Sequence, residues 1–185
     1  VERAQVEGLL ARHEPQDDVE QAVLERLRAA LSASPAPFDK HSFAPGHVTC
    51  SAFAVSPDRQ HVLLIHHAAV GLWIQPGGHV DPADASPEAA ARRELAEETA
   101  LEDVRLLFGG LLDVDVHQVP DGIKGQPAHL HLDLRFAFLA ATDQITAGSD
   151  AKAARWFPLD GLASVDTDAS VRLAVSRLRS RLASR

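Results

Sequence analysis

Apolar positions along the chain switch between the spacing of a helix and that of a strand, and the switches mark out its elements. Val6, Leu9 and Leu10 predict a first short helix. Val19, Ala22, Val23, Leu27, Ala30 and Leu31 recur at helical intervals behind the capping pair Asp17-Asp18 and predict a second. The stretch SASPAPFDKHSFAPG breaks that rhythm with prolines, polar residues and a glycine, and reads as a connector. Two β-like runs follow, HVTCSAFAV and HVLLIHH, separated by the turn-rich SPDRQ, and they predict an antiparallel pair. A helix is expected from about Pro87. Beyond it, VRLLFGGLLDVDVHQV and HLHLDLRFAFLA alternate apolar and polar residues, as strands with one covered face do, and QVPDGIKGQPA between them is a predicted mobile loop. ARWFPLDGL gives a last short strand and turn, and SVDTDASVRLAVSRLRSRL an amphipathic closing helix. Strands and helices interleaved in this way predict an α/β chain with a mixed β-sheet covered by helices.

With 185 residues, 45% of them hydrophobic, the chain can bury a substantial core, and a single domain over residues 1–185 is the expectation, residues 1–40 forming an N-terminal helical extension. The role of that extension is open between cleft lid, dimer contact and simple packing, so a homodimer is one of the arrangements left open. No apolar run approaches the roughly 20 residues of a membrane span, and VERAQVEGLLARHEPQ lacks the order of a secretory signal, so a cytoplasmic protein is expected. The single cysteine, Cys50, lies in an apolar run and reads as a buried thiol. A formal net charge of −8 argues against general nucleic-acid or acidic-membrane binding. Arginines concentrate in VRLAVSRLRSRLASR, which reads as the solvated face of a last helix.

The candidate chemistry lies in GGHVDPADASPEAAARRELAEETAL. Ser86 can cap a helix whose first position is Pro87. At about 100° per residue, Glu94, Glu97 and Glu98 then share one side, Ala91 and Leu95 face the sheet, and Arg93 stands one turn before Glu97. Like charges so spaced repel unless a divalent cation reverses the sign of their interaction, and Mg²⁺ or Mn²⁺ prefers such oxygen ligands. An exposed acidic face partly paired with arginine is the plainer alternative. Upstream, Pro76-Gly77-Gly78 follows a short apolar strand, where glycine lets the backbone turn and present carbonyls or amides to a ligand.

The order strand, glycine pair, loop, capped helix, Arg-Glu, Glu-Glu resembles the signature box of the Nudix (MutT-like) hydrolases. Gly78 matches the leading glycine, Arg93-Glu94-Leu95-Ala96-Glu97-Glu98 the core and Leu101 the final apolar position, within a box and catalytic helix spanning residues 77–101. Two departures stand out. The span from Gly78 to Arg93 is one residue long, so the first box glutamate falls on Asp84 or Ala85, with Asp84 the favoured stand-in; and Ala100 replaces the glycine near the helix end. The resemblance implies a Nudix α/β/α sandwich with extra N-terminal helices. It implies a metal-dependent hydrolase cleaving the P–O–P linkage of a nucleoside diphosphate derivative by water attack on phosphorus. Glu94, Glu97, Glu98 and a carbonyl of Gly77 or Gly78 would hold the metal, Arg93 would orient a glutamate, and Glu98 or Glu94 would be the general base.

Outside the box, His129, His131, Asp133 and Arg135 share one face of a strand, and Asp113, Asp115 and His117 share one face of another. These faces either meet solvent or line a substrate cleft, with Asp133 or Asp113 as a further metal or base candidate and Arg135, His131 and His79 as substrate-binding candidates. A zinc site from His129, His131 and His66 or His67 is allowed by residue type but lacks a tight ligand spacing. Trp73 and Phe53 could stack on a base, and both also suit the core. Two rival functions are a catalytically idle ligand-sensing module and an isomerase resembling the isopentenyl diphosphate isomerases. The latter would use His79 but needs a cysteine where Gly77 stands.

Overall fold

Alternation in the strand from Gly46 to Val55 (β1) organises the molecule, because its two sets of side chains face two different layers. In the computed structural model, which describes residues 1–122, 125–148 and 151–184, Val48, Cys50, Ala52 and Ala54 point into a core shared with helices on one side of the sheet. Phe53 and Val55 point into a second core on the other side. β1 is buried along its whole length.

The remaining strands are β2 (His61–His67), β3 (Trp73–Ile74), β4 (Gly77–His79), β5 (Val104–Leu106), β6 (Asp113–Val119), β7 (His129–Ala140) and β8 (Ala151–Pro158). They form one mixed sheet with a path β3-β2-β1-β7-β5; β4 also pairs with β1, β6 with β7 and β8 with β2. The expected β1–β2 antiparallel pairing is present at Val55 and Val62, but the long partner of β1 is β7, running parallel to it from Gly46–Leu130 to Val55–Leu139. β6 lies antiparallel on the far edge of β7.

The helices are α1 (Arg3–Arg12), α2 (Asp18–Ala33), α3 (Pro87–Thr99) and α4 (Ala169–Ala183). Val6 and Leu10 of α1, Leu24 and Leu27 of α2, and Ala90, Ala91 and Leu95 of α3 share the first core; Val171, Ala174, Val175 and Leu178 of α4 cover the second. The α/β/α layering expected from the sequence is therefore present. The inner face of α2 differs in detail: Val19 is exposed, and the buried line runs through Glu20, Leu24, Leu27 and Leu31. Glu20 is tolerated inside because His13 Nε2 lies 2.7 Å from its carboxylate and the Gln16 amide donates to it at 2.7 Å. The loop expectation over QVPDGIKGQPA falls partly on residues 123 and 124, outside the described residues. Among the described residues, no helix is long and apolar enough to cross a membrane.

Candidate active site

The start of α3 sets the phase of its acidic residues. Ser86 Oγ accepts a hydrogen bond from the Ala89 amide at 3.1 Å, and Pro87 occupies the first turn, where its missing N–H costs nothing. From that start Ala90, Ala91 and Leu95 turn into the core, which swings Glu94 and Glu98 toward β4. Glu98, 7% exposed, accepts the Gly77 amide at 2.9 Å through Oε2. The Glu94 carboxylate lies so close to Gly78 that a methyl group there would meet it at 2.6 Å. A methyl group on Gly77 would meet Ser51 Oγ at 2.5 Å on the other side of the strand. Both glycines are thus required for close approach. Neither has a positive φ, so the sharp backbone turn expected of them is not their role.

Arg93 ties the acidic cluster together. It grips Asp84 through Nε and Nη2, both at 3.0 Å, donates to Glu94 at 2.8 Å and Glu97 at 3.1 Å, and reaches the His79 carbonyl at 2.9 Å. Asp84, rather than Ala85, is therefore the acid that the longer loop brings to Arg93. Burial opposes the Asp84 charge, but the two arginine bonds and the Asp81 amide outweigh it and hold the carboxyl below its usual range. Glu94 goes the other way: burial raises its pKa, Arg93 only partly offsets this, and the charges of Glu97 and Asp84 push it further up. Glu97 is the outlier of the trio, with 57% of its side chain exposed and its carboxylate turned to Arg93.

Across β4 the chemistry changes. Register aligns the polar faces of three strands: His47, Thr49 and Ser51 of β1 stand beside His131, Asp133 and Arg135 of β7, which face His117, Asp115 and Asp113 of β6. Arg135, 3% exposed, is the centre of this layer, bonded to Asp133 at 3.0 Å, Asp113 at 3.2 Å and Asp115 at 3.0 Å. Asp133 also accepts from Thr49 at 3.0 Å and from Ser51 at 2.8 Å. Arg177 of α4 closes the array on Asp113 at 2.7 Å and on Asp17, the cap of α2, at 2.7 Å. Around Arg135 these strand faces are buried, and they meet solvent only toward His117. Arg135, Asp133 and Asp113, expected to contact phosphate or serve a metal or proton transfer, saturate one another in the interior, and this geometry does not offer them to a substrate. Arg177, read from sequence as part of a solvated face, is buried for the same reason.

Toward the start of β1 the same layer becomes imidazole. His47, His79 and His131 bring one ring nitrogen each to within 4.8 Å of the others; His117 and His129 each lie 5.2 Å from His131 between ring centres. Among the described residues this trio, and not the glutamates, is the group of three ligand-bearing side chains that closes so tightly. Burial, and then the neighbouring imidazoles, drive the His131 pKa down to about 2, and burial lowers that of His47, so both rings are neutral. His66 and His67, expected as partners of His131, lie on β2, which β1 separates from β7, and His66 packs edge-on against Trp73. His47 was missed in the sequence because HVTCSAFAV reads as one apolar run; the signal lay in its alternation of His47, Thr49 and Ser51 with apolar residues. Phe53 is fully buried, whereas Trp73 is half-buried at the sheet edge against Phe157, 4.9 Å away.

The family model for the NUDIX domain matches residues 45–177, well over half of the chain. The chain belongs to the NUDIX family. The matched span begins just before β1 and ends in α4, leaving α1 and α2 outside it. Solved structures share the fold. The NUDIX domain of Shewanella oneidensis NrtR, complexed with ADP ribose, is 22% identical, with a TM-score of 0.58 over 73% of this chain and 87% of that one. A Caenorhabditis elegans Ap4A hydrolase is 17% identical, with a TM-score of 0.57 over 75% and 98%. The Escherichia coli dihydroneopterin triphosphate pyrophosphohydrolase is 16% identical, with a TM-score of 0.56 over 72% and 95%. Comparison with curated proteins gives no match.

Proposed function

We propose that the chain hydrolyses the P–O–P linkage of a nucleoside diphosphate derivative at the face of α3 that carries Glu94, Glu97 and Glu98. The observation that carries this reading is the convergence of Glu94 and Glu98 on the Gly77–Gly78 backbone, in a fold whose solved members include an Ap4A hydrolase and a dihydroneopterin triphosphate pyrophosphohydrolase. ADP ribose, the ligand of a third member, also contains a phosphoanhydride.

The donor set fits a hard divalent ion. It is all oxygen, and Glu94 carries the electrostatic strain of Glu97 and Asp84 beside it, which a cation would relieve. Mg²⁺ or Mn²⁺ would be held by Glu94, Glu97 and Glu98 with the Gly78 carbonyl, and when bound it would neutralise phosphate oxygens and acidify water. The protein's own groups supply the rest. Arg93 orients Glu94 and Glu97 and locks the preceding loop through Asp84. Glu98 is fixed by the Gly77 amide. Glu94, its proton affinity raised by burial, is suited to accept the proton of an attacking water, with Glu98 as the alternative base.

The test is a panel of nucleotide sugars, dinucleoside polyphosphates, NADH, coenzyme A and nucleoside triphosphates incubated with Mg²⁺ or Mn²⁺, scored by released monophosphate or phosphate. Glu94→Gln and Glu98→Gln should each cut any detected turnover by about 100-fold or more while the fold persists by circular dichroism. Turnover that survives in both variants removes the assignment. Binding without turnover by the unmodified protein would favour a ligand-sensing module.

A further inference from the structure

We infer that His47, His79 and His131 form a second cation site, for a zinc-class divalent ion, on the opposite face of β4 from the glutamates. The inference does not depend on the proposed hydrolase reaction. Three strands contribute one ligand each: the parallel register of β1 and β7 sets His47 beside His131, and the pairing of β1 with β4 sets His79 beside Thr49. Side chains alternate along β4, so Gly78 faces Glu94 while the next residue, His79, faces the imidazoles.

Ring nitrogens within 4.8 Å of one another are near the roughly 3.3 Å separation that tetrahedral coordination at about 2.0–2.1 Å requires, and small side-chain rotations cover the difference. The tautomer is also prepared. His47 Nδ1 lies 3.1 Å from the Ser42 carbonyl and can only donate to it, which leaves Nε2 as a lone pair; that atom is buried and makes no hydrogen bond. A backbone carbonyl behind one ring nitrogen is the arrangement that fixes a ligating histidine. An unmet buried nitrogen costs stability that a bound ion would recover.

Around the trio the pattern repeats. His129 Nδ1 lies 2.7 Å from the Pro127 carbonyl with Nε2 buried and unmet, and His117 Nδ1 lies 2.9 Å from Asp115. These two rings pack edge-on against His131 as an outer layer. Imidazole nitrogens favour zinc-class ions over Mg²⁺, so the two faces of β4 would select different metals. Three protein ligands leave a fourth coordination position for water or another small donor.

The experiment uses the 185-residue chain stripped with a chelator, freed of it, and mixed with Zn²⁺. Metal retained after gel filtration is measured by atomic emission, and Co²⁺ is substituted as an optical probe. About one zinc per chain is expected, retained in the Glu94→Gln/Glu98→Gln double variant and weakened at least tenfold in His47→Gln and in His131→Gln. Co²⁺ should give the intense visible bands of a tetrahedral nitrogen site. Circular dichroism checks the folding of each variant. In case the histidine variants do not fold, ¹⁵N imidazole resonances of the unmodified protein are followed as zinc is added, and those of His47, His79 and His131 should shift together. No retained zinc, zinc held equally well by the folded histidine variants, or shifts confined to other histidines would overturn the inference.

Discussion

Gly78 and His79 are neighbours in the chain, yet they open onto two unlike environments. On the Gly78 side, a partly exposed arginine holds Glu94 and Glu97 of one helix while the Gly77 amide holds Glu98, and Glu97 stays close to solvent. On the His79 side, aspartates and arginines from two strands and a helix are buried and bonded to one another, and imidazoles from four strands pack beside them. The first cluster is put together by local spacing along a helix and holds its acids under mutual repulsion, as a binding site must. The second is put together by strand register, and most of its charges are already neutralised by partners, as a scaffold requires.

Substitution at the two arginines would test the contrast most strongly. Arg135→Leu should cost about 3–5 kcal/mol in urea denaturation, because it leaves the buried Asp133 without a cation and takes one from Asp113 and Asp115. Arg93→Leu, on the wetter side, should cost about 1 kcal/mol or less. Equal losses would erase the distinction between site and scaffold. Gly78→Ala comes next: its methyl group has no room beside Glu94, and a loss of about 1–3 kcal/mol in thermal unfolding is expected. Gly71→Ala is no fair control, since its φ of 74° is strained for alanine, but Gly110→Ala, with open space around it and no positive φ, should be near neutral.

Acid sensitivity gives a smaller and more gradual difference. In the metal-free protein His47 and His131 have folded-state pKa values below the unfolded value of about 6.5. Their contribution is intact above pH 6.5 and is lost as pH falls below it, by up to about 1.4 kcal/mol per pH unit for each ring. His117 opposes this: burial works against its charge, but Asp115 raises its pKa overall, so it adds stability as it protonates. Net stability in urea should decline from pH 7 to pH 5, and His131→Gln should flatten the decline; a level profile in the unmodified protein would mean the rings are wetted and charged. The smallest effect is Ala100→Gly. Ala100 ends α3 at φ 56°, where glycine is free of strain, so the variant should gain about 1 kcal/mol. No gain would show the strain relieved elsewhere.

The two sides differ just as much in how plainly the sequence announces them. Ser86-Pro87 and the interval from Glu94 to Glu98 act within one helix, so periodicity alone places them, and the helix starts where its cap predicts. The polar alternation of β6 and β7 was equally visible, but the pairing of Asp113 with Arg135 and of His47 with His131 joins residues far apart in sequence. Nothing in a strand's own alternation says which strand lies beside it. A polar face read alone therefore looks solvated. Only with β6 paired antiparallel to β7 does Arg135 gain Asp113 and Asp115, and only with β1 between β2 and β7 does His131 lose His66 and His67 as neighbours. Arg177 shows the same limit, since its partners Asp17 and Asp113 lie far from it in sequence, one at the cap of α2 and one on β6.

Arg177 also binds together parts of the chain that family membership keeps apart. It is the last residue of the matched NUDIX span, and its guanidinium reaches back to the residue that caps α2, outside that span. Clipping away the two leading helices would strip this cation of Asp17, remove Leu24 and Leu27 from the first core, and leave the aspartate–arginine layer beneath it open to water at one corner. The N-terminal segment thus works as a keystone for the interior charges, and any shortened version of the protein would have to replace that closure to stay folded.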